Sequence, residues 1–133
     1  MKSIVVFRLE NSSGIGPFRG GHRQEAESLK IHMGIKHCLV DGAGMKPRIF
    51  KKLASSGWSC AWSSESIFDE WMNGFEKHFE SLGYVKVKYL VSKYKVCPNQ
   101  FFEHYDDNIE DYVQTTVDGF QVFFNPRFAN KII

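Results

Sequence analysis

Residues 3–18 read SIVVFRLENSSGIGPF, an apolar strand that carries two charged side chains and ends in a glycine-rich turn. Because side chains alternate along a strand, Arg8 and Glu10 share one face with Ile4 and Val6. A guanidinium does not lose its proton in a protein, so on a buried strand Arg8 needs an anion. The sequence allows two partners for this charge. One is Glu10, which lies about 7 Å along the same face of the strand, and the other is an anionic ligand.

The turn after this strand contains Gly14, Gly16 and Pro17. Glycine adopts positive φ without a steric penalty and proline presets the direction of exit, so the turn has a defined shape. A glycine loop beside a buried cation is typical of a backbone that approaches a ligand closely. The sequence therefore makes Arg8, the two glycines and Phe18 candidates for binding an anionic cofactor.

Composition limits the class of protein. The 133 residues are 43% hydrophobic and 15% aromatic, which predicts one packed domain spanning residues 1–133. The net charge of +2 favours neither direct nucleic-acid binding nor membrane adhesion. Three widely spaced cysteines without a CxxC pair indicate free thiols and no metal centre. The start of the chain has too few apolar residues for a signal peptide, which indicates a cytoplasmic protein.

Hydrophobic periodicity and turn residues predict the order of elements. Strands are expected at 3–10, 57–62 and 84–91, helices at 24–33, 47–54 and 65–82, and a hairpin at 112–124 around Asp118-Gly119. Residues 92–111 form a long connection interrupted by Pro98. The predicted fold is an α+β single domain with a mixed or antiparallel sheet, helices packed on one side of it, and a C-terminal β-hairpin.

Two further segments carry candidate binding residues. Ser63 and Ser64 precede the predicted helix at 65–82, where they either cap the helix or bind an anion at its N-terminus. The long connection carries five carboxylates, which form either a solvated loop or a partner-binding surface that imitates a phosphate backbone. These are Glu103, Asp106, Asp107, Glu110 and Asp111.

The opening segment resembles a family of small, mostly uncharacterised proteins of tailed phages and prophages. Members begin with aromatic-Arg-x-Glu, here Phe7-Arg8-Leu9-Glu10, followed by Gly-x-Gly-Pro-aromatic, here residues 14–18. The Ser64-to-Trp71 spacing and Gln121-Val122-Phe123 are also similar to the family pattern. This resemblance implies a role in takeover of the host cell or in counter-defence, in the host cytoplasm.

The layout resembles, more distantly, the ADP-ribosyltransferase fold of bacterial toxins. That resemblance implies that Arg8 grips an NAD phosphate, that Ser63 and Ser64 shape the nicotinamide pocket, and that Gln121 orients the ribose. The toxins have a Glu two residues after this Gln or Glu, whereas this chain has Phe123. Transfer would therefore need another carboxylate, such as Glu10 or Glu103, to stabilise the developing positive charge.

Two functions of different classes follow as hypotheses. In the first, the protein is a NAD-dependent ADP-ribosyltransferase that modifies a host macromolecule. In the second, it is a non-catalytic inhibitor, similar to anti-CRISPR proteins, that binds a host or defence-system protein through the acidic segment 103–111. NAD binding by Arg8 distinguishes the first hypothesis from the second.

Overall fold

The structure is a computed structural model, and it describes residues 3–21, 23–42, 44–55, 57–58, 60–92, 95–97, 113–117, 120–124 and 126–132. Six strands are assigned in these ranges: β1 (Ile4–Glu10), β2 (Val85–Val91), β3 (Lys95–Cys97), β4 (Val113–Val117), β5 (Phe120–Phe124) and β6 (Ala129–Lys131). The α-helices are α1 (Ala26–Lys36), α2 (Pro47–Ser55), α3 (Glu65–Met72) and α4 (Glu76–Ser81). A π-helical turn, His37–Gly42, follows α1.

The strands form two antiparallel sheets. In the first, β2 lies between β1 and β6, with Ile4 opposite Val91 and Glu10 opposite Val85. In the second, β5 lies between β3 and β4, and Val117 of β4 is opposite Phe120 of β5. The predicted α+β class and the C-terminal hairpin are therefore confirmed, and every strand pair in the described ranges is antiparallel.

Both faces of the first sheet are packed, so the prediction of helices on one side is wrong. Ile4 and Val6 contribute to a core cluster with Phe50 of α2. Phe7 and Leu9, on the opposite face, belong to a second cluster that also contains Phe68, Met72 and Phe79 of α3 and α4. The physical reason is that β1 is apolar on both of its faces, and each face must be removed from water.

The predicted helix at 65–82 is two helices, α3 and α4, separated by a turn at 73–75. Gly74 adopts φ +93°, a conformation that ends a right-handed helix. The apolar residues before and after the turn pack into the same core cluster. Their spacing in the sequence therefore has the period of one continuous helix.

Three other boundaries differ from the sequence predictions. The predicted strand at 57–62 is reduced, among the described residues, to one antiparallel bridge between Phe7 and Trp62. Part of the expected connection at 92–111 is strand β3, which pairs with β5. The first helix begins and ends later than the predicted 24–33, since α1 spans Ala26–Lys36.

The backbones of Gly16 and Gly57 are in close contact beside the side chain of Arg8. A Cβ atom added at Gly57 would lie 2.5 Å from Cα of Gly16, and Gly57 has φ +79°. The glycine turn therefore packs directly against the backbone at residue 57. Gly74 offers a matched comparison, because its φ is also positive but nothing lies within 4 Å of an added Cβ.

We expect Gly57→Ala to destabilise the fold more than Gly74→Ala. Both variants place an L-residue at positive φ, which lowers the free energy of unfolding by about 1–2 kcal/mol. Only the first also forces two backbone segments apart, which adds about 1–3 kcal/mol. Urea unfolding of the two variants measures the difference, and equal losses would contradict the close contact between residues 16 and 57.

Candidate anion-binding site

Arg8 lies inside the protein, with only 1% of its surface exposed. Its Nε atom is 3.1 Å from Oε2 of Glu10, its Nη2 donates to the carbonyl of Gly14 at 3.4 Å, and its guanidinium lies 3.9 Å from the ring centre of Trp58. Burial lowers the pKa of Arg8 from its ordinary value, and the carboxylate of Glu10 opposes that shift. Of the two partners left open by the sequence, the structure shows the internal carboxylate.

Glu10 is as buried as Arg8, and its carboxylate accepts hydrogen bonds from two other side chains. The hydroxyl of Tyr89 donates to its Oε2 and the ammonium of Lys131 donates to its Oε1 at 3.3 Å. Tyr89 also packs edge-on against Trp58, with ring centres 4.9 Å apart. Glu10 is therefore the centre of a cluster that we name the buried charge cluster after its buried pair, Arg8 and Glu10. It also includes Tyr89, which is partly buried, and Lys131, which is about half exposed.

The turn that the sequence assigned to a cofactor has structural contacts instead. The carbonyl of Gly14 accepts from Arg8, and Gly16 is buried against Gly57. Phe18 is 2% exposed and makes edge contacts with the rings of Trp71 and Phe79. These contacts place the Phe18 ring in the hydrophobic core.

The other predicted site residues are distributed over different elements. Ser64 caps α3, because its hydroxyl accepts the amide of Ile67, and Ser63 precedes it. Gln121 lies in β5 opposite Cys97 and Thr116, in a different sheet from Arg8. The acidic residues Glu103, Asp106, Asp107, Glu110 and Asp111 lie outside the described residues. Arg8 and Glu10 are thus the predicted catalytic residues that the structure brings into contact.

A cleft of about 950 Å³ lies between the loop that follows the glycine turn, α1 and α2. We call it the basic cleft. Its walls carry five cationic side chains, a histidine and two glycines: Arg19, Arg23, Lys36, Arg48, Lys51, His32, Gly20 and Gly21, together with Gln24, Pro47, Phe50 and Ser55. No carboxylate is among these lining residues. Pockets of this volume hold ligands of nucleotide size or larger.

At least three cations of the basic cleft, Arg23, Lys36 and Lys51, are available to a ligand. Arg23, Arg48 and Lys51 are exposed, and in the described parts of the chain no carboxylate pairs with Arg23, Lys36 or Lys51. Helix α2 begins at this cleft with Pro47 and has no acidic residue in its first turn. The positive end of its helix dipole therefore adds to the positive potential.

Sequence reasoning missed this site because its residues come from three separate segments. Arg48 and Lys51 share one face of α2, and Lys36 lies four residues after His32 on α1. A concentration of basic residues at 46–52 is visible in the sequence. Its alignment with Arg19 and Arg23 across a cleft is produced by tertiary packing and has no local sequence signal.

Cys60 and Tyr89, two partly buried residues near Arg8, make the stability of the fold sensitive to alkali. Burial raises the pKa of the Cys60 thiol from 9.0 to about 12, and Arg8 opposes the shift. Burial, and then the hydrogen bond to Glu10, raises the pKa of Tyr89 above its ordinary 10.0. A raised pKa stabilises the fold fully below the unfolded-state pKa, and this contribution is lost as the pH rises toward the folded-state pKa.

We therefore expect the free energy of unfolding to fall between pH 9 and pH 12, the interval over which the pKa of Cys60 is shifted. Cys60→Ala should be less stable at neutral pH and should lose less over that interval, because the variant has no thiol to ionise on unfolding. Urea unfolding at several pH values measures both slopes. Equal slopes in the two proteins would contradict the burial of this thiol.

No protein-family model, curated protein or solved structure matches this chain. The resemblances to the phage family and to ADP-ribosyltransferases therefore stay predictions. Within the described ranges, no three His, Cys, Asp or Glu side chains are grouped to hold a metal ion. The same ranges contain no helix with the length and apolar character needed to cross a bilayer.

Proposed function

We propose that this protein binds a phosphorylated ligand of the nucleotide class, a free nucleotide or a nucleic-acid strand, in the basic cleft. The observation that carries the proposal is the set of five cationic side chains on the walls of one cleft, with no carboxylate among the lining residues. Cations that converge in one cleft raise the local concentration of anions and bind phosphate oxygens through charge-assisted hydrogen bonds. Among the described residues, no carboxylate pairs with Arg23, Lys36 or Lys51.

The chemistry of the walls favours recognition of phosphate over recognition of a base. Arginine and lysine supply most of the polar groups, whereas the aromatic ring in the lining, Phe50, is buried and packs against His32. Contacts to phosphate give affinity that depends strongly on salt and weakly on base sequence. The net charge of the whole chain is only +2, but the local positive charge of this cleft is higher and favours polyanions.

The ADP-ribosyltransferase hypothesis also requires a site for NAD, whose pyrophosphate is an anion of this class. Arg8 is buried against Glu10 and Trp58, so the basic cleft supports NAD binding better than Arg8 does. A role in host takeover or counter-defence, whether as a NAD-dependent transferase or as an inhibitor acting through segment 103–111, stays a prediction from the resemblance.

Fluorescence polarisation with labelled RNA and DNA oligonucleotides, and competition by ATP and by NAD, tests the proposal. We expect saturable binding that weakens steeply with salt, by about a factor of ten or more between about 50 and 200 mM. Competition by NAD alone would favour the transferase hypothesis. Binding of neither oligonucleotides nor free nucleotides at low salt would contradict the proposed function.

A further inference from the structure

His32 is the imidazole on the wall of the basic cleft, and a neutral imidazole has one ring nitrogen that can accept a proton. Its Nδ1 lies 3.2 Å from the backbone carbonyl of Phe18. A carbonyl oxygen only accepts, so the hydrogen is on Nδ1 and the lone pair of the neutral ring is on Nε2. The ring also packs on Phe50, with centres 5.2 Å apart. His32 is therefore held in one tautomer and one orientation.

The Nε2 atom of His32 lies directly over Gly20, another residue of the cleft wall. A Cβ atom added at Gly20 would be 2.8 Å from Nε2, so the imidazole packs closely on this glycine. Gly83, outside the cleft lining, has a similar positive φ, 88° against 75°, and a Cβ atom added there would meet nothing within 4 Å. The two positions form a matched pair for experiments, because only a methyl group at Gly20 would displace the imidazole.

We infer that the basic cleft cleaves RNA by transesterification, with His32 as the catalytic general base. This inference rests on the proposed function and assigns RNA as the substrate within the nucleotide class. RNA carries its own nucleophile, the 2′-hydroxyl, next to each phosphate. A fixed imidazole among cations supplies the two requirements of that reaction, a proton acceptor and stabilisation of charge on phosphorus.

The proposed step conserves atoms and needs no further reactant. Nε2 of His32 takes the proton of the 2′-hydroxyl, and O2′ forms a bond to the adjacent phosphorus as the bond from phosphorus to O5′ breaks. The departing O5′ takes a proton from a cleft ammonium, Lys36 or Lys51, and the proton on His32 returns to that amine through solvent. The products are a 2′,3′-cyclic phosphate and a 5′-hydroxyl end.

The test uses the full chain, a labelled RNA oligonucleotide and DNA of the same sequence, with mass spectrometry of the products. The main variant is His32→Asn, whose side-chain amide can still donate to the carbonyl of Phe18 but has no basic nitrogen. We expect wild-type protein to convert RNA to cyclic phosphate ends and to leave DNA intact. We expect His32→Asn, compared with wild type when both are saturated with RNA, to cleave at least about 100-fold more slowly.

The second pair of variants is Gly20→Ala and Gly83→Ala, which place an L-residue at similar positive φ. Only the methyl group at position 20 meets Nε2 of His32, so cleavage should fall in Gly20→Ala and stay within about two-fold of wild type in Gly83→Ala. This pair decides the question if His32→Asn does not fold. RNA that is bound but remains intact, or cleavage that is unaffected in His32→Asn, overturns the inference and leaves the proposed binding function in place. Absence of any binding removes both.

Discussion

Replacement of Glu10 by alanine should lower the free energy of unfolding by about 3–5 kcal/mol. The change removes the carboxylate 3.1 Å from the guanidinium of Arg8, which is 1% exposed and stays charged. It also removes the acceptor for Tyr89 and for Lys131. Chemical unfolding of the variant measures the loss, and a loss below about 1 kcal/mol, the size of an exposed ion pair, would contradict the buried charge cluster.

The paired variant Arg8→Met with Glu10→Leu is the control for this prediction. Removal of both charges together leaves no unmatched ion, and apolar side chains of similar volume restore much of the packing. We expect this double variant to be close to wild type or more stable, although each single charge removal is destabilising. A double variant as unstable as Glu10→Ala would show that hydrogen bonds other than the ion pair dominate the cluster.

Reversal of two cleft charges, Lys36→Glu with Lys51→Glu, should weaken binding of an RNA or DNA oligonucleotide at least about 100-fold. Each lost charge-assisted hydrogen bond is worth about 1.5–3 kcal/mol, and the new carboxylates repel phosphate. Both lysines line the basic cleft, and Lys51 is exposed. Fluorescence polarisation gives the affinity, and the melting temperature checks the fold.

The salt dependence separates loss of phosphate contacts from unfolding. For a single strand, each phosphate contact contributes about −0.7 to the slope of log affinity against log salt, so the double reversal should reduce that slope by about 1.4. The matched control is Lys30→Glu with Lys77→Glu, which makes the same charge change at exposed positions on α1 and α4 outside the cleft lining. Equal effects of the two double variants would indicate binding by net charge alone.

The fold was predicted from sequence where local patterns determine the structure. Alternation gave strand β1, and Asp118-Gly119 indicated the hairpin of β4 and β5. The break at Gly74 was missed because α3 and α4 face the same core cluster and keep a common apolar period across the turn. Packing on both faces of β1 was missed because the side of the sheet on which each helix packs depends on tertiary contacts between distant segments, which leave no local pattern in β1.

The site was predicted only in part. The sequence shows that Arg8 needs an anion, and it places Glu10 on the same face, but strand geometry does not decide between a carboxylate and a ligand. The answer depends on Tyr89 and Lys131, which come from distant strands and complete the cluster around Glu10. The basic cleft depends in the same way on the approach of α1, α2 and the loop that follows the glycine turn.

The most direct test of this account measures oligonucleotide affinity for two variants side by side, Arg8→Met with Glu10→Leu and Lys36→Glu with Lys51→Glu. Because Arg8 is buried in an ion pair with Glu10 and the cleft carries exposed cations, the first variant should bind within about three-fold of wild type. The second should lose most of its affinity. Loss of binding in the first variant with full binding in the second would contradict the account.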